Sequence, residues 1–432
     1  VRILVLSWEY PPVLVGGLGR HAQALAAAQA AAGHEVVVVS RHQTGAAYTE
    51  VVDRVRVIRV PEDPTSFPFT EQNLLAWTMA LNHAMTRAAL RAAEELRPEV
   101  VHAHDWLVTH AAVTLKHHLG VPLVATVHAT EAGRHQGWLP GELNRSIHSI
   151  EWWLSYEARR VITCSAYMRS EVTRLFDLPA EKGDVVPNGV DPAQWRAPAA
   201  AASLARQTHG SGPLLLFAGR LVYEKGVQDL LAALPRLRRR HPGLRLVVAG
   251  DGPYRDDLVA IARRLRLGRA VHWAGFLPDA ELAALAGIAD CCVVPSVYEP
   301  FGLIALEATA AGTPVVAADV GGLREFVVPG VTGLRFGRGD VAGLADAVSS
   351  VLQDEVLARR LVRGAQAQLA AEHRWPVIAE RTVEVYRRAV REERSLHGAL
   401  AAAGLSPEGT PVGAAAVVPP TFRGDHGDNY GK

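Results

Sequence analysis

Two doubly wound α/β domains in tandem, each an open parallel sheet with helices on both faces, are what this 432-residue sequence predicts. Three observations carry that expectation. Short continuous apolar runs recur, the pattern of strands buried on both faces of a parallel sheet. Helical patterns separate each run from the next. An apolar run followed by a glycine-containing loop occurs twice, once at Val1 and again at Leu214.

In chain order, Val1 to Leu6 reads as the first strand, followed by Ser7-Trp8-Glu9-Tyr10-Pro11-Pro12 and the cluster Val15-Gly16-Gly17-Leu18-Gly19. An Ala-rich helix to Ala32 ends at Gly33, and Glu35 to Ser40 is the next strand. Further strands are expected at Val55–Ile58, Val100–His102, Leu123–Val127 and Arg160–Thr163. From Pro192 to Pro213 the composition shifts to small and loop-forming residues, which marks a linker. The second series starts at Leu214 and continues through Leu244 to Gly250, Val271 to Ala274, Asp290 to Pro295 and Pro314 to Ala318. Trp375 to Glu393 has the pattern of a last amphipathic helix. The segment 395–432, rich in Gly, Pro and small residues from Gly404 on, is expected to be disordered.

With 49% apolar and 21% charged residues the chain has the composition of a soluble globular protein. Lys and Arg number 45 against 44 Asp and Glu, which removes bulk charge as a reason to bind nucleic acid. Cys164, Cys291 and Cys292 are too few for a disulfide framework and are expected to pack as reduced thiols. No stretch approaches 18 apolar residues, and the opening run is too short for a secretory signal, so a cytoplasmic protein is expected. Arg236, Arg238, Arg239 and Arg240, and Arg87 with Arg91, could meet an anionic membrane, but a solvated helix face is the favoured reading.

The chemistry concentrates after strand ends. Glu299 and Glu307 stand eight residues apart with Pro300, Gly302 and an apolar run between them. Pro300 suits the first helical position, so the helix is expected to begin near Glu299. The early N–H groups, those of Phe301, Gly302 and Leu303, would then face a phosphate. Eight helical residues rise about 12 Å, too far for the carboxylates to share one water, whereas retaining glycosidases set theirs ~5–5.5 Å apart. Gly16, Gly17 and Gly19 suit close approach to a diphosphate but lack the Gly-x-Gly-x-x-Gly spacing of a dinucleotide site. Arg220 and Lys225, just beyond the first strand of the second series, could neutralise a departing diphosphate. Histidines are dense at His102, His104, His110, His117, His118, His128 and His135, yet none falls in a His-Glu-x-x-His pattern, so no metal is expected. His128 closes a strand and should point into the cleft between the sheets; His104-Asp105-Trp106 ends the preceding strand in the same way.

Trp8-Glu9-Tyr10-Pro11-Pro12 with Gly16-Gly17-Leu18-Gly19, His102-Ala103-His104-Asp105-Trp106, Val127-His128 with Glu131 and Arg134, Pro187-Asn188-Gly189-Val190-Asp191, Gly219-Arg220 with Glu224-Lys225-Gly226, Ala249-Gly250-Asp251-Gly252-Pro253 and the Glu299…Glu307 segment occur in one order. In these motifs the chain resembles the retaining GT-B glycosyltransferases of family four, and more narrowly the actinobacterial glycogen-synthase-like α-(1→4)-glucosyltransferases. The resemblance spans about residues 1 to 394. It implies two Rossmann-like domains facing across a cleft: an acceptor-side domain over 1–195, to which a C-terminal helix over 376–394 returns, and a donor-nucleotide domain over 213–375. It further implies that Glu299 holds the donor sugar, Glu307 the ribose, and Arg220 with Lys225 the diphosphate. Gly16, Gly17, Gly302 and Leu303 would lie by the phosphates or sugar, the base near Gly252 in the loop after Gly250, and His128 by the reacting carbon. His104, Asp105, Glu131 and Arg134 would form the acceptor side. The implied substrates are UDP-glucose or ADP-glucose and an α-glucan or maltooligosaccharide, with no metal cofactor. Starch and glycogen synthases carry a Lys two residues before the paired glycines; here Leu14 and then Val15 stand there, so UDP-glucose is at least as well accommodated as ADP-glucose. The same architecture serves other acceptors, sugar-nucleotide epimerases, and proteins that bind a sugar nucleotide without turning it over.

Overall fold

The computed structural model describes residues 1–64 and 67–403. The first sheet has eight strands: β1 (Arg2–Ser7), β2 (Glu35–Arg41), β3 (Thr49–Val52), β4 (Val55–Val60), β5 (Val100–His104), β6 (Leu123–Val127), β7 (Arg160–Thr163) and β8 (Gly183–Val185). Their spatial order is β3-β4-β2-β1-β5-β6-β7-β8, parallel throughout except that β3 runs antiparallel to β4. Its helices are α1 (Gly17–Ala31), α2 (Leu74–Leu96), α3 (Thr109–Leu119), α4 (Glu131–Arg134), α5 (Glu142–Glu157) and α6 (Ala166–Phe176). The strand order reverses between β1 and β5, so the crevice for a ligand opens beyond Ser7 and His104, which are register partners.

After β8 comes α7 (Ala199–His209), inside the stretch read from sequence as a loop-like linker. Four consecutive alanines from Ala199 are strong helix formers, and α7 packs on a helix of the second unit, with Arg206 donating to the Ile288 carbonyl at 2.5 Å. The second sheet has six parallel strands: β9 (Leu214–Ala218), β10 (Arg245–Ala249), β11 (Val271–Gly275), β12 (Cys291–Val294), β13 (Val315–Ala318) and β14 (Leu334–Phe336). The order is β11-β10-β9-β12-β13-β14, and the reversal falls between β9 and β12. Around it lie α8 (Val227–Arg240), α9 (Arg255–Arg264), α10 (Asp279–Ile288), α11 (Leu303–Ala311), α12 (Leu323–Phe326), α13 (Val341–Gln353) and α14 (Glu355–Glu372). The three cysteines are free and buried.

The last helix, α15 (Trp375–Ala402), crosses back to the first sheet. It is longer than expected: residues 395–402, assigned from sequence to the tail, continue the helix, while 404–432 lie outside the described residues. Ile378 and Val383 are fully buried beside Ile3, Val5 and Leu25, and each such side chain contributes about 1.5–3 kcal/mol. The two chain crossings between the units are joined to each other. Val190 N–H donates to the His373 carbonyl (2.8 Å), and His373 Nδ1 lies 3.1 Å from the Asn188 carbonyl. A Cβ at Gly189 would sit 2.7 Å from Trp375.

Among the described residues no helix is long and apolar enough to cross a membrane. Arg236 and Arg240 both pair with Asp346 (2.9 and 2.6 Å), and Arg87 pairs with Asp63 (3.0 Å), so part of the basic surface is already committed.

Candidate active site

Both reversal points face one cleft. On the second unit, Lys225 Nζ lies 2.7 Å from Glu299 Oε2, which also accepts from Ser296 Oγ at 3.1 Å. The helix that follows starts at Leu303, four residues later than the proline suggested. The Pro300 carbonyl instead accepts from Ser165 Oγ (2.7 Å) across the cleft, the Glu299 carbonyl accepts from Gly322 N–H (3.0 Å), and Gly302 takes φ +99°. Glu299 thus stands in a loop, and only about 6 Å of helix separates Leu303 from Glu307. The Gly302 and Leu303 N–H groups have no hydrogen-bond partner among the described residues, which leaves the start of α11 ready for an anion. Gly302→Ala forces a left-handed backbone on a residue with a Cβ and presses it on Leu323. A loss of about 1–2 kcal/mol in urea unfolding is expected, together with a raised donor KM.

Glu307 is buried and faces Arg20 of α1 at 3.2 Å, while Arg20 also reaches Asp279 at 3.2 Å. Burial pushes the Glu307 carboxyl above its usual range, and Arg20 works against that shift. The two glutamates therefore have separate partners. Arg220 is exposed, and among the described residues its side chain has no hydrogen-bond or ion-pair partner. Gly252 packs on the Leu221 carbonyl, setting the loop after β10 against the one that carries Arg220.

The opposing wall is the glycine loop before α1. Glu9 Oε2 accepts from Val15 N–H (2.8 Å) and Gly16 N–H (3.0 Å) and so shapes that loop. Gly17 lies against Leu303: a Cβ there would come 2.6 Å from Leu303 Cδ1. Below it, Asp105 at positive φ (58°) accepts the His128 N–H at 2.7 Å. Burial pushes the Asp105 carboxyl up to about 6. Glu131 accepts from Asn144 (2.6 Å) and lies 3.8 Å from Arg134, and its own N–H donates to Glu151 (2.8 Å). Burial drives Glu151 up to about 8. A Cβ at Gly133 of α4 would strike the Tyr298 hydroxyl, so the α4 turn and the Glu299 loop are neighbours across the cleft. Asp105 and Glu131 are thus occupied in holding His128 and α4.

Spacing along the chain missed one grouping. His21 of α1, His104 at the end of β5 and His128 just after β6 bring one ring nitrogen each to within 4.8 Å of one another. His104 Nδ1 and His128 Nε2 are 3.0 Å apart. Burial keeps all three rings neutral, holding His128 down to about 4. His102, beside them, is engaged at both nitrogens, by Thr126 Oγ1 (2.7 Å) and Tyr386 of α15 (2.6 Å). His110, His117, His118 and His135 stay out of the group. Glu9, Glu151 and His21 lie outside the residues assigned from sequence. Only Glu9 had a local signal, a carboxylate shortly before a glycine cluster.

A cleft with two cations, a helix start and two separately held carboxylates on one side, and a glycine loop with neutral imidazoles on the other, can grip a diphosphate and a polyhydroxyl group together. Comparison with known proteins gives the family. Residues 205–368 match the model described as glycosyl transferases group 1, and residues 15–194 match glycosyltransferase family 4. A glycogen synthase of Mycobacterium tuberculosis is 49% identical over 406 residues, 91% of this chain and 96% of the relative. An alpha-maltose-1-phosphate synthase of the same organism is 31% identical, over 90% and 99% of the two chains. The solved sucrose-phosphate synthase of Thermosynechococcus elongatus superposes with a TM-score of 0.78 at 26% identity, over 89% and 98%.

Proposed function

Because the chain belongs to the family 4 glycosyltransferases, and is thereby a hexosyltransferase of the GT-B fold, we propose that it moves glucose from a nucleoside diphosphate to the non-reducing end of an α-(1→4)-glucan with retention at the transferred carbon. The observation that carries this reading is the Lys225–Glu299 pair, with Arg220 exposed and unpartnered among the described residues and Gly17 set against Leu303 at the start of α11. In this reading Glu299 accepts hydrogen bonds from the donor sugar hydroxyls, and Glu307 from the ribose. Arg220, Lys225 and the Gly302 and Leu303 N–H groups hold the diphosphate and stabilise its charge as the glycosidic C–O bond breaks. His128, neutral and fixed through Asp105, sits by the reacting carbon. The high identity to the glycogen synthase supports glucose and a glucan. The reading takes the protein as cytoplasmic.

Incubating the purified protein with UDP-glucose or ADP-glucose and short maltooligosaccharides tests it. Chain elongation through α-(1→4) links is expected from at least one donor, and donor alone should stay unaltered. Elongation should persist in excess EDTA, since side chains and the helix start supply the positive charge. Conversion of the donor sugar without an acceptor would instead identify an epimerase, and a strict divalent requirement would count against the diphosphate clamp.

A further inference from the structure

We propose that His21, His104 and His128 form a binding site for a zinc-class divalent ion, and that its occupancy inhibits transfer by taking His128 away from the reacting centre. One ring nitrogen from each residue lies within 4.8 Å of the others. The ring centroids are 4.8 Å apart for His21 and His128, 5.3 Å for His104 and His128, and 5.6 Å for His21 and His104. His21 Nδ1 is buried without a hydrogen-bond partner, a cost that a ligand bond would remove, and His104 Nδ1 and His128 Nε2 face each other at 3.0 Å, a pair of neutral rings that share one proton whose place a cation would take. The three residues come from a helix and two strand ends, whose packing limits how far the rings can spread. Three imidazoles with one open position is a common zinc arrangement, and of the three rings only His128 is partly exposed. His102 does not compete as a ligand because both its nitrogens are already engaged. An all-nitrogen donor set selects zinc, cobalt, nickel or copper over magnesium or calcium.

The binding half stands on geometry alone, and only the inhibitory half rests on the proposed function. The untagged full chain, freed of metal with EDTA and dialysed, is titrated with Co2+ while visible absorption is read, then with Zn2+ in competition. Intense bands of a four-coordinate site saturating at one Co2+ per chain, and bleached by Zn2+, are expected. His21→Gln should weaken the affinity at least about tenfold, and His83→Gln, on the exposed surface, should leave it unmoved. In the elongation assay Zn2+ should inhibit reversibly by EDTA, Mg2+ should not, and the half-inhibiting Zn2+ concentration should rise about tenfold in His21→Gln relative to that variant's own metal-free rate. Absence of the bands in the unmodified chain overturns the site. So does a signal that survives both His21→Gln and His104→Gln in protein whose circular dichroism is native. Co2+ binding without Zn2+ inhibition overturns the inhibitory half. If the chain transfers no glucose at all, the Co2+ titration still decides the site.

Discussion

If Arg220 holds the diphosphate as proposed, Arg220→Ala is expected to lower kcat for glucosyl transfer on the order of 10²–10³-fold while leaving thermal stability within about 0.5 kcal/mol of the parent. The two halves of that result follow from one fact: Arg220 is exposed and has no partner among the described residues. Its removal breaks no folded-state contact, so a loss of rate reports only on what it does to a bound diphosphate. Charge builds on the diphosphate as the sugar leaves, so the deficit should fall on kcat and kcat/KM together; a change confined to KM would mean that Arg220 holds ground state and transition state alike. Lys225→Ala is the less clean experiment. Lys225 is 2.7 Å from Glu299, and deleting it strands a buried carboxylate, so stability and rate fall together. An unchanged rate in Arg220→Ala would remove the diphosphate clamp from the mechanism.

Acid destabilises the protein steeply between about pH 6.5 and 4.5. His21, His102 and His104 are buried, His128 half-buried, and desolvation keeps all four neutral, with folded pKa values below the unfolded one: about 3 for His102, about 4 for His128, and well below the ordinary value for the other two. As pH falls through ~6.5 the unfolded chain takes up protons on these four rings and the folded chain does not. Two carboxyls packed near them act in the opposite sense. Asp105 (about 6) and Glu151 (about 8) are protonated in the fold where the unfolded chain has lost those protons, so each regains stability as pH falls toward its unfolded value. Burial raises the Glu9 and Glu307 carboxyls in the same sense, but the four rings take up their protons in the unfolded chain over this window, so the unfolded state is the proton-richer one near pH 5 and stability falls as pH falls. Denaturant unfolding at stepped pH measures it, and His104→Gln should reduce the slope by roughly one proton, about 1.4 kcal/mol per unit. A midpoint that stays level from pH 7 to 5 would contradict the neutral cluster.

Continuous apolar runs made β1, β2, β6 and β7 legible from sequence, because strands covered on both faces leave little choice of pattern. β8 and β14 have three residues each, too few for any period, and β3 is a four-residue exposed edge strand without the continuous apolar run that marked the others. The start of α11 was misread for a different reason. Pro300 is suited to a first helical position, but its carbonyl is claimed by Ser165 of the other unit, and Gly302 turns the chain the wrong way for a helix. The Glu299 and Glu307 pair and the two cations were recognisable because each follows a strand end. His21 was not, since the residues that complete its group are 83 and 107 positions away, and Glu151 is joined to Glu131 through a backbone N–H that spacing does not reveal.

The return of α15 has a consequence for the newborn chain. The first sheet is translated first, but the helix that covers Ile3, Val5 and Leu25 follows only after the whole second sheet has been made. At ~5–20 residues per second, the roughly 190 residues between β8 and α15 keep that apolar face uncovered for about 10–40 s. The second sheet, whose strands and covering helices are contiguous in sequence, meets no such delay. A ribosome stalled before Trp375 therefore carries an N-terminal unit with an open hydrophobic groove, a natural landing place for a chaperone, and emergence of α15 is the event that closes it.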